Sequence, residues 1–301
     1  MSTQPQIVVG VDGSWRETGA LEYALDEALR RRVPLRAVHV VDHRSYAGPV
    51  EADGETFQTV RLDEGAIRLA EDVADYAAGA VPGIDTGADI LVGSPAERLA
   101  EAGAEAAMLV VGRRGLGVFG RLLIGSTSDA VTHHGTGPVV VVPDGWQPAA
   151  HRGGLVVAGV DGDSPNEDAL EFAFEAAETH RVPLWLVHVW DVPAVYAWDA
   201  AAIAGADDRW GELARLRLDD VTEVWERKHP GVEVHREVRQ GHPVPGLLGV
   251  AEETGAQLLV VGGRPHHRPP GLLLGSVARG VLHHATCPVA VVHERGPEAG
   301  T

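Results

Sequence analysis

Short runs of apolar residues alternate along the chain with longer amphipathic or polar segments. In the first half these runs predict strands at 6–11, 34–41, 87–92, 107–112 and 139–142. Short runs that are apolar throughout are typical of strands buried on both faces of a sheet. The segments between them predict helices at 15–31, 61–79, 95–104 and 126–134. Alternating strands and helices indicate an α/β fold whose parallel strands are joined by right-handed crossovers.

The first helix of each half carries a capping signal. Ser14 and Glu17 fit the S-x-x-E capping box, and Ser164 and Glu167 repeat it in the second half. Pro165 then occupies the first helical position, which proline favours. We therefore expect each of these two helices to begin directly after its serine.

The second half of the chain repeats the first. The segment RVPLRAVHVVD at 32–42 returns as RVPLWLVHVWD at 181–191, and HHGTGPVVVV at 133–142 returns as HHATCPVAVV at 283–292. The offset is 149 residues at the first pair (32 to 181) and 150 residues at the second (133 to 283). A repeat of this length predicts two related domains.

We place the two predicted domains at 1–146 and 147–301. The segment PDGWQPAAHRGG at 143–154 is rich in proline and glycine and lacks helical or strand periodicity. Such a segment is typical of a connection between domains. Because it is short, we expect the two domains to pack against each other.

Charge and cysteine content exclude several classes of function. The chain has 43 acidic and 25 basic residues and a formal net charge of −18. Such a chain repels a phosphate backbone, so we expect no nucleic-acid partner. Cys287 is the only cysteine, which excludes an internal disulfide and a cysteine zinc site within one chain. No apolar run approaches about 18 residues and no signal core begins the chain, so we expect a cytoplasmic protein without a membrane partner.

Three pairs of adjacent histidines stand at 133–134, 266–267 and 283–284. Neighbouring residues on a helix point about 100° apart, so such a pair does not chelate one ion. We therefore expect no metal site built from protein side chains alone. His39 and His188 lie within predicted strands, and we interpret them as core or sheet-edge residues.

A glycine-rich segment follows the fourth predicted strand. Gly112 and Gly115 let the backbone turn sharply and approach a ligand closely, and Gly125-Ser126 opens a helix nine residues later. The free N–H groups and the positive dipole end of a helix N-terminus suit a phosphate. Three arginines add positive charge here: Arg113, Arg114 and Arg121. The segment predicts a phosphate site; the alternative on these residues alone is a surface loop followed by a capped helix.

The spacing Gly112-x2-Gly115-x9-Gly125-Ser126 resembles the ATP-binding signature of the universal stress protein family. The surrounding order resembles the family too, with VDGS after the first strand and HV in the second. The resemblance covers nearly the whole chain, once per half. It implies two tandem doubly wound domains, each an open parallel five-stranded sheet of order 3-2-1-4-5 with helices on both faces. Asp12 and Gly112 would then flank one crevice.

The resemblance also implies the site residues of the first half. The base and ribose would lie against Asp12, Val40, Val111 and Gly112, and the phosphates against Gly115, Gly125, Ser126 and Thr127. A triphosphate repels a carboxylate, so Asp12 fits only at the sugar, at the base or on a bound divalent ion. Without the resemblance, Asp12 would be interpreted as a turn residue that bonds its own backbone.

The second half departs from the signature at one position. The matching residues are Asp161, Val189, Val261, Gly262, Gly275, Ser276 and Val277. Pro265 stands where the first half has Gly115, and proline removes a backbone donor and fixes φ. Side chains near Pro265 that offer positive charge in compensation are Arg264, His266, His267 and Arg268. We predict that the second site binds nucleotide more weakly or differently.

The resemblance implies a protein that binds ATP, with Mg²⁺ carried by the nucleotide, and acts as a nucleotide-linked regulator under stress or growth arrest. No catalytic base or nucleophile stands out beside the glycine loop, so we favour regulation over turnover and leave slow ATP hydrolysis open. One alternative is an adenine-nucleotide hydrolase-type enzyme, although VDGS is followed by Trp15 and Arg16 rather than a glycine-rich turn. The other is an interaction module that binds no nucleotide. The final strand pairs domains in the family, so we expect a homodimer and leave a protein partner open.

Overall fold

The computed structural model describes residues 5–42, 47–52, 55–60, 64–115, 124–151, 153–162, 164–191, 200–263 and 274–294. The chain divides into two compact units, Met1–Pro148 and Ala149–Thr301. This division lies two residues beyond the 146/147 boundary that we placed from the sequence. None of the helices in these ranges combines the length and the apolar character needed to span a bilayer.

The first domain alternates strands and helices, as the pattern predicted. Its elements are β1 (Ile7–Gly10), α1 (Trp15–Thr18), α2 (Ala20–Arg31), β2 (Leu35–Val41), β3 (Ala47–Ala52), β4 (Glu55–Val60), α3 (Glu64–Ala80), β5 (Thr86–Val92), α4 (Pro95–Gly103), β6 (Met108–Gly112), α5 (Ser126–His134) and β7 (Val139–Val142). A single helical turn, α6 (Pro148–His151), follows within the predicted linker.

The second domain has the same order without the hairpin and without the separate turn α1. Its elements are β8 (Val156–Gly159), α7 (Glu167–His180), β9 (Leu184–Trp190), α8 (Ala200–Lys228), β10 (Val234–Gln240), α9 (Pro243–Glu253), β11 (Leu258–Gly262), α10 (Ser276–His284) and β12 (Val289–Val292).

Each domain contains a parallel five-stranded sheet with its first strand at the centre. The order is β5-β2-β1-β6-β7 in the first domain and β10-β9-β8-β11-β12 in the second. When only the five strands of each parallel sheet are numbered, leaving out β3 and β4, both orders read 3-2-1-4-5, which confirms the predicted fold class. Ile7 of β1 lies opposite Leu35 of β2 on one side and opposite Met108 of β6 on the other. The strand order therefore reverses between β1 and β6, and likewise between β8 and β11.

The apolar runs form the core because helices cover them. Ile7 and Leu35 are fully buried, as is Leu21 of α2. Glu27 is also buried on α2, and its carboxylate accepts a hydrogen bond from Arg31 at 2.8 Å. In the second domain Phe174 of α7 fills the same kind of position. The stability of each sheet rests on this burial of apolar side chains between two layers of helix.

The predicted capping boxes are wrong in both halves. The first helix begins after Ser14, but the Ser14 hydroxyl donates to Asp12 Oδ1 at 2.5 Å and caps no helix. That helix is also interrupted, because Gly19 adopts a left-handed conformation with φ +73° between α1 and α2. In the second domain Asn166 caps α7, its side chain accepting from the backbone N–H of Ala169. Pro165 therefore precedes the cap.

The segment between the second strand and the following long helix differs most between the domains. In the first domain it forms an antiparallel hairpin, β3–β4, in which Ala47 lies opposite Val60. In the second domain α8 is 29 residues long, whereas α3 has 17. Neither the hairpin nor the extended helix was predicted, because the sequence repeat is weakest in this segment.

Candidate functional site

A cleft of about 610 Å³ opens in the first domain at the carboxyl ends of β1 and β6, where the strand order reverses. Ligands of open parallel sheets bind at this position. All eight residues predicted for the first half line the cleft: Asp12, Val40, Val111, Gly112, Gly115, Gly125, Ser126 and Thr127. The fold thus brings together segments that lie more than a hundred residues apart in the chain.

Asp12 occupies the turn that follows β1. Its Oδ1 accepts from the backbone N–H of Ser14 at 2.9 Å and from the Ser14 hydroxyl. These two bonds fix the carboxylate. A Cβ placed on Gly115 would lie 2.3 Å from Asp12 Oδ2, so Gly115 is glycine because the carboxylate occupies the space that a side chain would need. The turn interpretation and the site interpretation of Asp12 therefore describe the same geometry.

Gly112 ends β6 against the first helical turn. A Cβ there would lie 2.9 Å from Thr18 Cβ, so only glycine lets β6 and α1 approach this closely. The Gly112 carbonyl accepts a hydrogen bond from Ser128 Oγ at 2.6 Å. That bond ties the start of α5 to the end of the strand.

The N-terminus of α5 forms one wall of the cleft. Gly125 is its N-cap in an extended conformation, and no side chain caps the helix. The Gly125 N–H donates to the Arg113 carbonyl at 2.7 Å, which ties the start of α5 to the residue that follows β6. The first N–H groups of a helix have no partner within it, so those of Ser126 and Thr127 are available to an anion in the cleft.

The sequence analysis placed His39 in the core or at a sheet edge, and the structure puts it in the cleft wall. Its Nδ1 lies 3.0 Å from the Val11 carbonyl oxygen, so Nδ1 carries the proton and donates. The signal for this role was the position of His39 near the carboxyl end of a strand. The sequence analysis also missed the apolar wall that Pro95 and Leu99 of α4 provide.

Trp15 lines the cleft and packs against α3. Its ring is buried and contacts Tyr76 of α3 at a centroid distance of 5.2 Å, while the Arg16 guanidinium lies 3.9 Å from the ring centroid. The Tyr76 hydroxyl donates to Glu22 at 3.4 Å. Burial raises the pKa of Glu22, and burial together with the nearby Glu22 carboxylate raises the pKa of Tyr76. The Tyr76–Glu22 bond supports the α1–α3 contact, and neither of these two residues is part of the cleft lining.

The charges of the cleft are acidic on balance. Among the described residues that line it, the carboxylates are Asp12, Glu17 and Asp144, and the guanidinium is Arg114. Arg114 forms an ion pair with Asp144. A polyanionic ligand would therefore need a cation with it. Within the described ranges no group of three or more His, Cys, Asp or Glu residues could hold a metal ion by itself.

The seven residues predicted for the second half lie at the matching edge of the second sheet. Asp161 follows β8, Val189 is in β9, Val261 and Gly262 end β11, and Gly275, Ser276 and Val277 open α10. The Gly275 N–H donates to the Gly263 carbonyl at 2.9 Å, as Gly125 donates to Arg113. Pro265 and its neighbours Arg264, His266, His267 and Arg268 lie outside the described residues, as does Arg121 of the first half.

The two edges differ in the side chains that surround the histidine of the second strand. His188 repeats the bond of His39, with Nδ1 2.8 Å from the Val160 carbonyl oxygen, but His188 is buried. Gly162 packs against its ring, and Arg217 of α8 lies over Gly162. Asn166 lies beside Gly262, where the first domain has Thr18 beside Gly112.

Comparison with known proteins identifies relatives of the whole chain. The model of the universal stress protein family matches residues 5–143 and again 155–293. A universal stress protein of Mycolicibacterium smegmatis is 35% identical over 297 residues, which covers 98% of this chain and 99% of the relative. One from Mycobacterium tuberculosis is 32% identical and covers 95% of this chain and 94% of its own. The crystal structure of a universal stress protein from Archaeoglobus fulgidus has a TM-score of 0.69 at 21% identity, covering 97% of this chain and 98% of that one.

Proposed function

The chain belongs to the universal stress protein family, with one family domain in each half, and on that premise we propose that its first domain binds ATP together with Mg²⁺. The observation that carries this proposal is convergence. Eight positions that the family resemblance implies line a single cleft at the point where parallel sheets bind ligands. Positions matched by chance would be scattered over the domain.

The cleft offers different chemistry at its two ends. The phosphate end combines glycine backbone at Gly115 and Gly125 with the first N–H groups of α5, which have no partner within the helix. The other end is formed by Val38 and Val40 of β2 with Leu99, an apolar surface that suits a purine ring. Such a division into an apolar pocket and a polar end is typical of small-molecule sites.

The residues present fit a Mg²⁺ ion that arrives with the nucleotide. Asp12 presents one carboxylate beside Gly115, and Mg²⁺ in proteins is commonly held by one or two carboxylates plus phosphates. The ion would supply the positive charge that the acidic lining lacks. Asp12 would contact the ion or the ribose.

We infer that the protein signals through nucleotide binding in this cleft rather than through nucleotide turnover. It would act in the cytoplasm as a nucleotide-linked regulator of the stress or growth-arrest response. The second domain is proposed to bind nucleotide more weakly, because Pro265 replaces a glycine and side chains pack closely at its sheet edge. Self-association into a homodimer belongs to the proposal too, and small-angle scattering would measure it.

The first experiment is to measure the nucleotide content of freshly purified, denatured protein by chromatography and mass spectrometry. About one ATP per chain supports a single competent site. Two per chain would contradict the weaker second site. No nucleotide, followed by no heat of binding when Mg-ATP is added, would overturn the proposal.

A substitution then locates the site. Gly115→Ala forces a methyl group against Asp12, so ATP affinity should fall by about tenfold or more. Gly137→Ala is the matched control, because its Cβ would meet only the Gly103 carbonyl, at 3.8 Å. Titration calorimetry with both variants separates the proposed site from a general effect on the domain.

A further inference from the structure

Arg114 and Asp144 face each other across the phosphate end of the cleft. Both line it, and the Arg114 guanidinium bonds the Asp144 carboxylate. We propose that Asp144 holds the Arg114 guanidinium in an ion pair in the nucleotide-free protein, and that nucleotide phosphates displace Asp144 from it. Arg114 is then the residue that discriminates between nucleotides by their phosphate charge. This inference rests on the proposed function of the cleft.

Asp144 is the fixed partner of the pair. It lies in the turn after β7, where the Trp146 N–H donates to the Pro143 carbonyl and the Gly145 N–H donates to the Glu17 carbonyl, both at 3.3 Å. Trp146 is buried and packs edge-on against Tyr23 at a centroid distance of 5.2 Å. These contacts hold the turn against α1 and α2, so Asp144 stays where it is.

Arg114 is the mobile partner. Its side chain is 46% exposed, against 28% for Asp144, and it has the length to swing. Its backbone is anchored, because the preceding residue, Arg113, donates to the Val142 carbonyl and accepts from Gly125, both at 2.7 Å. A Cβ on Gly125 would lie 3.6 Å from Arg114 Cα, so the guanidinium swings from a point beside the start of α5.

The exchange follows from charge. A guanidinium bonds phosphate oxygens in the same forked geometry that it uses for a carboxylate. A nucleotide with more phosphate charge competes better with Asp144, and a nucleoside without phosphate does not compete at all. Arg114 thus raises affinity for ATP relative to weakly charged ligands, and the ion pair with Asp144 offsets part of that gain.

The test is a double-mutant cycle measured by titration calorimetry with adenosine, AMP, ADP and ATP in Mg²⁺. We expect Arg114→Gln to weaken ATP binding by about tenfold, with a smaller loss for AMP and none for adenosine. Asp144→Asn should strengthen ATP binding by roughly two- to fivefold in the wild-type background. That gain should shrink in the Arg114→Gln background, because no guanidinium is left to release.

A matched control is the pair Arg98–Glu101 on α4, where Arg98 is also 46% exposed and lies outside the cleft lining. Arg98→Gln and Glu101→Gln should leave every affinity unchanged. The inference is overturned if ATP binds Arg114→Gln as tightly as it binds the wild type. It is equally overturned if Asp144→Asn gives the same gain in both backgrounds, which would show simple repulsion. A wild-type chain that binds neither ATP nor adenosine would instead overturn the proposed function, and the exchange with it.

Discussion

The two domains have the same strand order and nearly the same glycine positions, yet they differ where the first strand meets its helix. In the first domain the chain makes one turn, α1, breaks at Gly19 and starts again as α2. In the second domain α7 runs without interruption from Glu167, and Asp168 stands at the position of Gly19. The broken start lets Ser14 bond Asp12, whereas the continuous start places Asn166 beside Gly262.

This difference shows which parts of the fold the two domains share and which parts diverge. The strand ends are repeated, and Gly112 and Gly125 return as Gly262 and Gly275, whereas Pro265 stands in place of Gly115. The segment between the second and third strands of the parallel sheet is not repeated: it forms the hairpin β3–β4 in one domain and the extended α8 in the other. Two sites built on the same frame can therefore have different access and different affinity.

The largest expected effect comes from closing the break at Gly19. Gly19→Ala puts a side chain at φ +73° and a Cβ 2.5 Å from the Trp146 carbonyl oxygen. A left-handed conformation costs an alanine about 1–2 kcal/mol, and the overpacking adds a comparable amount, so we expect a loss of about 2–4 kcal/mol. Hydrogen exchange in urea, resolved by peptide, should show that loss in the first domain only.

The control for Gly19→Ala lies in the turn that Gly19 contacts. Gly145 has φ +70° but open space around its Cβ position. Gly145→Ala should therefore lose about 1–2 kcal/mol, from the conformation alone. Equal losses in the two variants would show that the Trp146 contact contributes nothing.

The sequence predicted the fold well and chose residues that line one cleft of the first domain, because both depend on local signals. Strands end where the apolar runs end, and Gly112, Gly115 and Gly125 lie within one short segment of the chain. The internal repeat also provides a second copy of most strands and helices, against which each predicted element can be compared. Within the described residues, these features appear where the pattern placed them.

The rest could not be predicted because it depends on contacts between distant segments. Arg114 and Asp144 are 30 positions apart, and only the folded turn after β7 brings them together. His39 alternates within a strand like a core residue, and only the open strand end puts it in the cleft. Gly19 sits inside a helical pattern, where one glycine does not reveal that the helix stops and restarts.

A smaller effect tests the capping difference between the domains. Asn166→Ala removes the cap of α7 and the hydrogen bond from Asn166 Nδ2 to the Val292 carbonyl at 3.1 Å. We expect a loss of about 1–2 kcal/mol in the second domain. Thr18→Ala at the matching place should lose less, because the Thr18 hydroxyl lies 3.5 Å from both its partners. Chemical denaturation of both variants, with exchange resolved by domain, measures the two losses, and a larger loss for Thr18→Ala would contradict the comparison.

The smallest effect concerns an ion cluster at the outer edge of the second sheet. Arg239 lies opposite Val189 and bonds Glu237 and Glu253, whereas the first domain has Leu91 opposite Val40.

The hydrogen bond from Arg239 lowers the pKa of Glu253 below its unfolded value. Its stabilising contribution is therefore complete above the ordinary glutamate pKa and is lost as pH falls through the lowered folded value. Glu253→Gln should reduce the thermal midpoint of the second domain slightly at about pH 7 and leave it unchanged at a pH below the lowered folded pKa of Glu253, where the wild-type carboxyl is also neutral. Glu64→Gln, in the exposed 3.5 Å pair with Arg68 on α3, is the control and should show no such pH dependence. If Glu253→Gln lowered the midpoint equally at both pH values, the side chain would act through packing, and the charge difference between the two sheet edges would have no part in their stability.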